Sequence, residues 1–464
     1  MLSLAFATLL ALGSNAEPLS YEDARARLQQ SSYRATAAAG LTQARADAAD
    51  ASKTLQRPFV ALDASALSFQ KSLSLSTEGV GSLVNGALGS LGSLLPELPP
   101  GFVPAVSIPS RFDTTVSDSS ATAGLVAAVP LYTGGRIGAV RRLLADQAAT
   151  ARTDERSVRE DLDVRLTTAY FGLQLALVQA GVADRAADDL ARHLRSAQIR
   201  RQVGTGNRGL VLQAEAGLAG ARTAAAAAHR RVGEAQLALD ELLDSSAPVV
   251  QTTPLFVNGS GLQPEASYES DALGGASELV RAAQAQTQSS DLEALARAGS
   301  RPTAYAFAEY TANPRNANVL QPDWLVGVVA EFTLLDPLDR AKLVDSARAA
   351  EASSRAAREA VRSEVRTGVL AAYDRVADAL DAFTASGATV AAERETVRSQ
   401  YERLAQGLAT PNDVADARLA LAGGEAKRAA AAFDYDLALA TLLRLAGRSD
   451  GFAAFAQRAD TVIR

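Results

Sequence analysis

At 464 residues the chain is long enough for two or three ordinary domains. Nearly half of it, 48%, is apolar while only 5% is aromatic, which excludes a thick core of large side chains and favours closely approaching, Ala-rich helices. A formal charge of −6, with no RNP, helix-turn-helix or zinc-finger pattern, excludes nucleic acid as a partner.

The absence of Cys removes thiol catalysis, disulfides and a lipid-modified cysteine anchor. His193 and His229, the only histidines, lie in Ala-rich helical sequence and offer little for a metal or a proton relay. No HExxH, GxSxG, P-loop or GxGxxG pattern occurs, so the chain does not read as an enzyme, and no cofactor or metal is expected.

In chain order, Leu2 to Leu12 is an apolar run followed by Ser14-Asn15-Ala16. Together they predict a secretory signal peptide over 1–16, although no Lys or Arg precedes the run. No later segment holds the about 18–20 unbroken apolar residues of a membrane helix, so any crossing falls to strands. A first structural repeat is expected over 17–244. It comprises a helix from about Ser20 to Gln56, strands over 57–70 and 120–132, a long helix over 138–203 and a helix over 210–243. Between those strands Lys71 to Ser120, rich in Ser, Gly, Pro and Leu, reads as a long loop. Residues 245–276, rich in Pro, Ser, Gly and Thr, read as an irregular equatorial segment. A second repeat over 277–447 is expected to carry strands over 302–312 and 322–335, a long helix over 338–406 and a helix over 412–446. A tail over 448–464 follows.

The repeats rest on one constant offset. Ala169-Tyr170 falls on Ala372-Tyr373, Gly204 on Gly407, Val211 on Val414, and Leu239 and Leu242 on Leu442 and Leu445. Arg57-Pro58 falls on Arg301-Pro302 only when the loop is counted as an insertion in the first half.

Around Trp324 the pattern switches to period 2. Trp324, Val326, Val328, Ala330, Phe332 and Leu334 alternate with Leu325, Gly327, Val329, Glu331 and Thr333, the signature of a transmembrane β-strand. Leu125, Ala127, Val129 and Leu131 keep the same phase in the first half. The lipid face is therefore expected at Trp324, Val326, Val328, Phe332, Leu125 and Val129. Two strands per half give four per chain, too few to close a barrel, and an open edge in lipid leaves unpaired backbone groups. Several copies must contribute, and three give twelve strands. Each long helix would span about 100 Å at about 1.5 Å per residue.

With these residues in place the chain resembles the TolC-type outer-membrane factors, the outer membrane efflux protein family, over about Leu19 to Gly447. The most specific elements are Val129-Pro130-Leu131-Tyr132-Thr133-Gly134-Gly135-Arg136 and Ala169-Tyr170-Phe171. They continue with Gly407 and Asp413-Val414-Ala415-Asp416-Ala417, then Tyr435-Asp436-Leu437 and Leu442-Leu443-Arg444-Leu445-Ala446-Gly447. The resemblance implies a mixed, mostly α fold. In it a trimeric 12-strand transmembrane β-barrel, four strands per chain, continues into a 12-helix periplasmic α-barrel. It implies a cell outer-membrane location, export of small molecules or polypeptides in a tripartite efflux pump or type I secretion system, and contact with outer-membrane lipid. The implied partners are two further copies of the chain, a periplasmic membrane-fusion adaptor protein and an inner-membrane pump of the RND or ABC type.

By the same resemblance Gly204, Thr205, Gly206, Gly407, Leu408 and Ala409 form adaptor-docking tips, and Asp413 and Asp416 form a periplasmic constriction. These acids are three apart, hence on one helix face; the alternative is that Asp413 caps the helix start and Asp416 is a solvated first-turn acid. The family's usual gate lock is missing, because Ala409, Leu404 and Leu210 occupy its positions. Arg208, Arg403 and Gln406 are the candidates to replace it. Tyr170 and Tyr373 read as packing between helices, and Arg141-Arg142 and Arg200-Arg201 as ordinary helix-face charges. A non-transport coiled-coil scaffold remains the alternative, and it would not explain strand pairs at equivalent places in two repeats.

Overall fold

The computed structural model describes residues 17–72, 115–312, 322–334 and 336–463, with the side chains of 65–72 and 115–122 left aside. The expected signal peptide, and residues 73–114 of the loop expected from Lys71 to Ser120, lie outside the described residues.

The elements in chain order are β1 (Glu17–Leu19), α1 (Tyr21–Ser31), α2 (Tyr33–Ser52), β2 (Phe59–Ser72) and β3 (Thr115–Tyr132). The long helix α3 (Arg136–Gln202) and α4 (Arg208–Leu242) follow, then β4 (Val249–Gln251), β5 (Leu255–Val257), α5 (Glu265–Gly275) and α6 (Ser277–Ala298). The second strand pair, β6 (Thr303–Ala312) and β7 (Trp324–Glu331), precedes the long helix α7 (Arg340–Ala405) and α8 (Pro411–Leu445). A short 3-10 turn at Ser449–Gly451, α9 (Phe452–Gln457) and β8 (Thr461–Ile463) end the chain.

Helices α3 and α7 run 67 and 66 residues with no proline inside them, about 100 Å each at 1.5 Å per residue. Both stop the same way. Gly204 (φ 79°) and Gly407 (φ 75°) adopt left-handed backbone that a side chain would disfavour. The next helices start at caps: Asn207 accepts from the Leu210 N–H at 2.9 Å, and Thr410 forms a capping box with Asp413 ahead of Pro411.

Four expectations are corrected, the first being the loop, whose ends at Lys71–Ser72 and Thr115–Ser120 belong to β2 and β3. The first helix is broken at Ser32, whose extended backbone (ψ 120°) separates α1 from α2. Residues 245–276 are not irregular: they contain β4, β5 and α5, too short to show a period in sequence. The tail is tied down, with β8 antiparallel to β5 (Leu255 opposite Ile463). One window of α3 is also apolar enough by composition to cross a membrane, yet Leu166, Tyr170, Phe171 and Leu173 on that helix are buried in protein.

The chain divides into two units. The first takes residues up to Gly40, then Thr153–Val280 and Glu359–Arg464. Its core is a cluster of rings, Tyr21, Tyr170, Phe171, Phe256 and Phe452, with neighbouring centroids 4.9 to 5.9 Å apart. Tyr170 is its polar pin. Its hydroxyl donates to the Leu19 carbonyl at 2.8 Å and accepts from the Thr252 and Thr253 N–H groups at 3.1 and 3.0 Å. Arg25 grips the buried Asp163 with two bonds, at 2.9 and 2.7 Å. In this unit the helices lie side by side as α4, α3, α8, α7. His229 contacts Asp184 at 3.0 Å across the first pair. Glu425 on α8 accepts from Arg185 on α3 and Arg394 on α7, at 3.3 and 3.0 Å.

Asp436 of α8 is fully buried in that unit. One carboxyl oxygen accepts from the Phe256 N–H at 3.3 Å and the other has no partner, so burial drives its pKa well above the ordinary carboxylate range. The favourable protonated state is complete below the unfolded value of 3.8, and its contribution is lost as pH rises through the raised folded pKa. Thermal unfolding in detergent is expected to show the wild type losing stability relative to Asp436→Asn as pH climbs. A difference independent of pH would contradict a protonated Asp436.

The second unit takes Leu41–Arg152 and Arg281–Arg358. Its helices lie in the order α2, α3, α6, α7, linked by Thr42 to the Ala151 carbonyl (3.1 Å), Arg142 to Asp291 (2.6 Å) and Ser289 to Ser354 (2.6 Å). Small contacts dominate, with Ala139, Val140, Leu144 and Leu295 as the buried core. Above them stands one antiparallel sheet of order β2-β3-β6-β7.

Candidate functional site

The sheet register decides which side chains share a face, because successive residues of a strand point to opposite sides. One row across the four strands is Leu62, Leu125, Tyr310 and Trp324. The next is Val60, Ala127, Ala308 and Val326, and below it Val129, Ala306 and Val328. Every member is apolar or aromatic. Leu62, Trp324, Val326 and Val328 are 74, 68, 66 and 65% exposed, an arrangement that costs free energy in water and is stable against hydrocarbon.

The other face differs. It carries Asp63, Glu309, Thr311 and Glu331 beside the buried Val126 and Ala128. At Gly327 an added Cβ would stand 3.0 Å from the Phe307 ring, so the absence of a side chain lets that ring lie across the neighbouring strand.

Of the expected lipid-face residues, Trp324, Val326, Val328 and Leu125 are exposed on the apolar face and Val129 is half-buried on it. Phe332 is exposed but follows the last residue of β7. The strand stops at Glu331, opposite Thr303, because Pro302 next to Thr303 has no N–H to extend the ladder. Sequence reading missed Val60, Leu62 and Tyr310. Only two residues of β2 alternate before Asp63, and Ala304 to Ala308 is apolar on both faces, so no parity was visible.

The tips of the first unit form a second candidate site. Both turns expose apolar side chains: Val203, Leu210 and Leu212 in the first, Leu408 in the second. Asn412 donates to Gln213 at 3.3 Å, linking one tip to the other. Gly204, Thr205 and Gly206 in one tip, and Gly407, Leu408 and Ala409 in the other, occupy the exposed turns. Asp413 and Asp416 are both exposed on α8. The Asp413 carboxylate accepts from the Thr410 N–H and hydroxyl at 2.6 and 2.8 Å, and these bonds hold its pKa below the ordinary carboxylate value. The capping role is thus real, and it leaves the second carboxyl oxygen of Asp413 and all of Asp416 available on one face. Arg403 donates to the Leu408 carbonyl at 3.5 Å inside its own tip. Among the described residues no cluster of three or more His, Asp or Glu suited to a metal is present.

Residues 24–245 match the family model described as outer membrane efflux protein. Just under half of the chain is thus similar to the outer membrane efflux protein family. Solved structures of similar fold include the outer membrane protein VceC from Vibrio cholerae, with a TM-score of 0.71 at 14% identity, 92% of this chain and 96% of that one being covered. The Campylobacter jejuni CmeC outer membrane channel gives 0.70 at 12% identity, with coverages of 95% and 90%. The open state of the Neisseria gonorrhoeae MtrE outer membrane channel gives 0.66 at 15% identity, with coverages of 92% and 89%. No curated protein sequence matches the chain significantly. The likeness spans 92 to 95% of this chain, so its fold is that of the outer-membrane channels.

Proposed function

We propose that this protein is the outer-membrane duct of an export apparatus, a homotrimer that passes small molecules or polypeptides from the periplasm to the exterior. The observation that carries the proposal is the sheet: four strands, an exposed face that is apolar across the rows of Trp324, Val326 and Val328, and outer edges on β2 and β7 that no described strand covers. A sheet open at both edges is not viable in hydrocarbon, whereas three copies supply twelve strands and close it. The helical layers repeat the pattern, with α7 at one edge and α2 or α4 at the other, each ready for the next copy. Helix ends support a tandem duplication, since 202, 208 and 242 recur at 405, 411 and 445.

The protein has no catalytic task in this reading. It is a passive conduit, with an adaptor seated on the tips around Gly204–Gly206 and Gly407–Ala409 and an inner-membrane pump of the RND or ABC type behind it. Threefold symmetry would gather Asp413 and Asp416 of three chains into a ring of six carboxylates, a cation-binding constriction. The lock of that constriction differs from the family's, because Leu210, Leu404 and Ala409 cannot form the usual polar contacts.

Planar-bilayer recording tests both levels. The reconstituted protein is expected to give discrete conductance steps that hexamminecobalt(III) blocks from the helical side. Asp413→Asn with Asp416→Asn should weaken that block at least tenfold, as expected when a ring of charges is removed. Absence of conductance would refute the duct, and conductance with unaltered block would refute the ring alone.

A further inference from the structure

We propose that the four strand-to-helix junctions form a basic belt that binds anionic phospholipid headgroups in the leaflet on the helix side of the sheet. The inference rests on the membrane reading of the sheet.

Its basis is a charge distribution that the whole-chain balance hides. The chain carries a net −6, yet its junctions are basic. Between α2 and β2 stand Lys53 and Arg57 with no acid. Between β3 and the first turns of α3 stand Arg136, Arg141 and Arg142, again with no acid. Arg297 and Arg301 close α6 before β6, and only the junction after β7 is mixed, Arg340 and Lys342 facing Asp336 and Asp339.

The helices themselves do not ask for this. α3 begins at its junction with no acidic residue in the first turn, where Arg136 opposes the positive end of the helix dipole; at α7 the Asp339 carboxylate caps the Lys342 N–H at 3.1 Å. Arg136 and Arg340 also disfavour each other: burial first, and the Arg340 guanidinium in addition, push the Arg136 pKa down.

Part of the belt is neutralised within the protein. Lys53 pairs with Asp50, Arg142 with Asp291, Arg297 with Glu293 and Arg340 with Asp336, each at 2.6 Å. The exposed Arg57 and Lys342, and the half-buried Arg141, have no ion pair among the described residues. An open groove of about 470 Å³ between α2 and α3 brings Arg141, Arg142 and Lys53, with Asp50 beside Lys53, round a floor of Ala46, Ala49 and Ala145, room for a phosphate with its glycerol. Depth agrees as well. Arg141 is five residues into α3, about 8 Å at about 1.5 Å per residue, and the headgroup layer beyond the hydrocarbon is about 5–8 Å thick. Each surface Lys or Arg contributes about fivefold to anionic-lipid partitioning.

The test uses the full chain in nanodiscs of mixed phosphatidylglycerol and phosphatidylcholine at physiological salt, with phospholipid retained after detergent extraction measured by mass spectrometry. Wild type is expected to retain phosphatidylglycerol over phosphatidylcholine at least tenfold. Arg57→Gln, Arg141→Gln and Lys342→Gln together should cut that preference about tenfold or more. An equal loss of charge far from the junctions, Arg195→Gln, Arg200→Gln and Arg201→Gln, should leave it unchanged. No preference in wild type, a preference that survives the belt variant, or an equal loss in the distant variant would overturn the belt. Quenching of Trp324 by acyl-brominated lipid in the same discs reports separately whether the sheet sits in the membrane.

Discussion

Val328→Lys is expected to abolish assembly in the outer membrane, whereas Val329→Lys, one residue along the same strand, is expected to be tolerated. Val328 lies on the row with Ala306 and Val129, 65% exposed and apolar on every side. A lysine there must leave its charge in hydrocarbon, about 2–4 kcal/mol per chain near the midplane, and threefold symmetry applies that cost three times. Val329 pairs with Tyr305 on the face that also carries Glu309 and Glu331, where a charged group can reach water or an acid. Outer-membrane fractionation with a heat-resistant oligomer band on gels reads the difference. Equal loss for both variants would show that general strand damage is being measured, and equal tolerance would show that neither face meets lipid.

The second large effect is expected at Tyr170. The side chain is fully buried, meets Tyr21 edge-on at 5.7 Å and Phe171 at 5.2 Å, and its hydroxyl makes the three bonds that tie β1 and the Thr252-Thr253 turn to α3. Tyr170→Ala should cost about 3–5 kcal/mol through the cavity alone. Tyr170→Phe keeps the ring but leaves the Thr253 N–H without its partner, while the Thr252 N–H and the Leu19 carbonyl still bond to each other at 3.1 Å; the cost is about 1–3 kcal/mol. Denaturant unfolding of the detergent-solubilised protein separates the two. A Phe variant as stable as wild type would mean that the Thr253 N–H is satisfied by water and that the residue acts by packing only. The sequence reading of Tyr170 as helix packing therefore captured half of its role; the other half depends on β1 and the turn after β4, which no pattern placed beside it.

The long helices were legible because their signal is long. Sixty-odd residues without proline, bounded by Gly204 and Gly407, leave little choice of boundary. Strand β7 was legible for a related reason, since large apolar residues alternate with Gly327 and Glu331. Strand β6 has alanine on both faces, and its orientation emerges only when Tyr310 is seen between Leu125 and Trp324. The short β4, β5 and β8 were invisible because three residues carry no period, and their pairing partners lie far along the chain: Val249 opposite Glu17, and Leu255 opposite Ile463. At the tip, the Thr410-Pro411 and Asp413 spacing displayed the cap. What the free face of Asp413 and Asp416 does is set by neighbouring copies, and a single chain carries no local signature of it. Arg141 and Arg142 were read as ordinary helix-face charges for the same kind of reason: the clustering of basic residues exists only after four distant segments meet at one end of one sheet.

The most direct test of the duct uses the one tryptophan in the chain. Trp324 is 68% exposed at the end of β7 away from α7, in the row with Tyr310, Leu125 and Leu62, so its fluorescence in proteoliposomes reports what covers the apolar face. The account predicts strong quenching by phospholipids brominated along the acyl chain and weak quenching by aqueous acrylamide. Free quenching by acrylamide with no response to brominated lipid would contradict it.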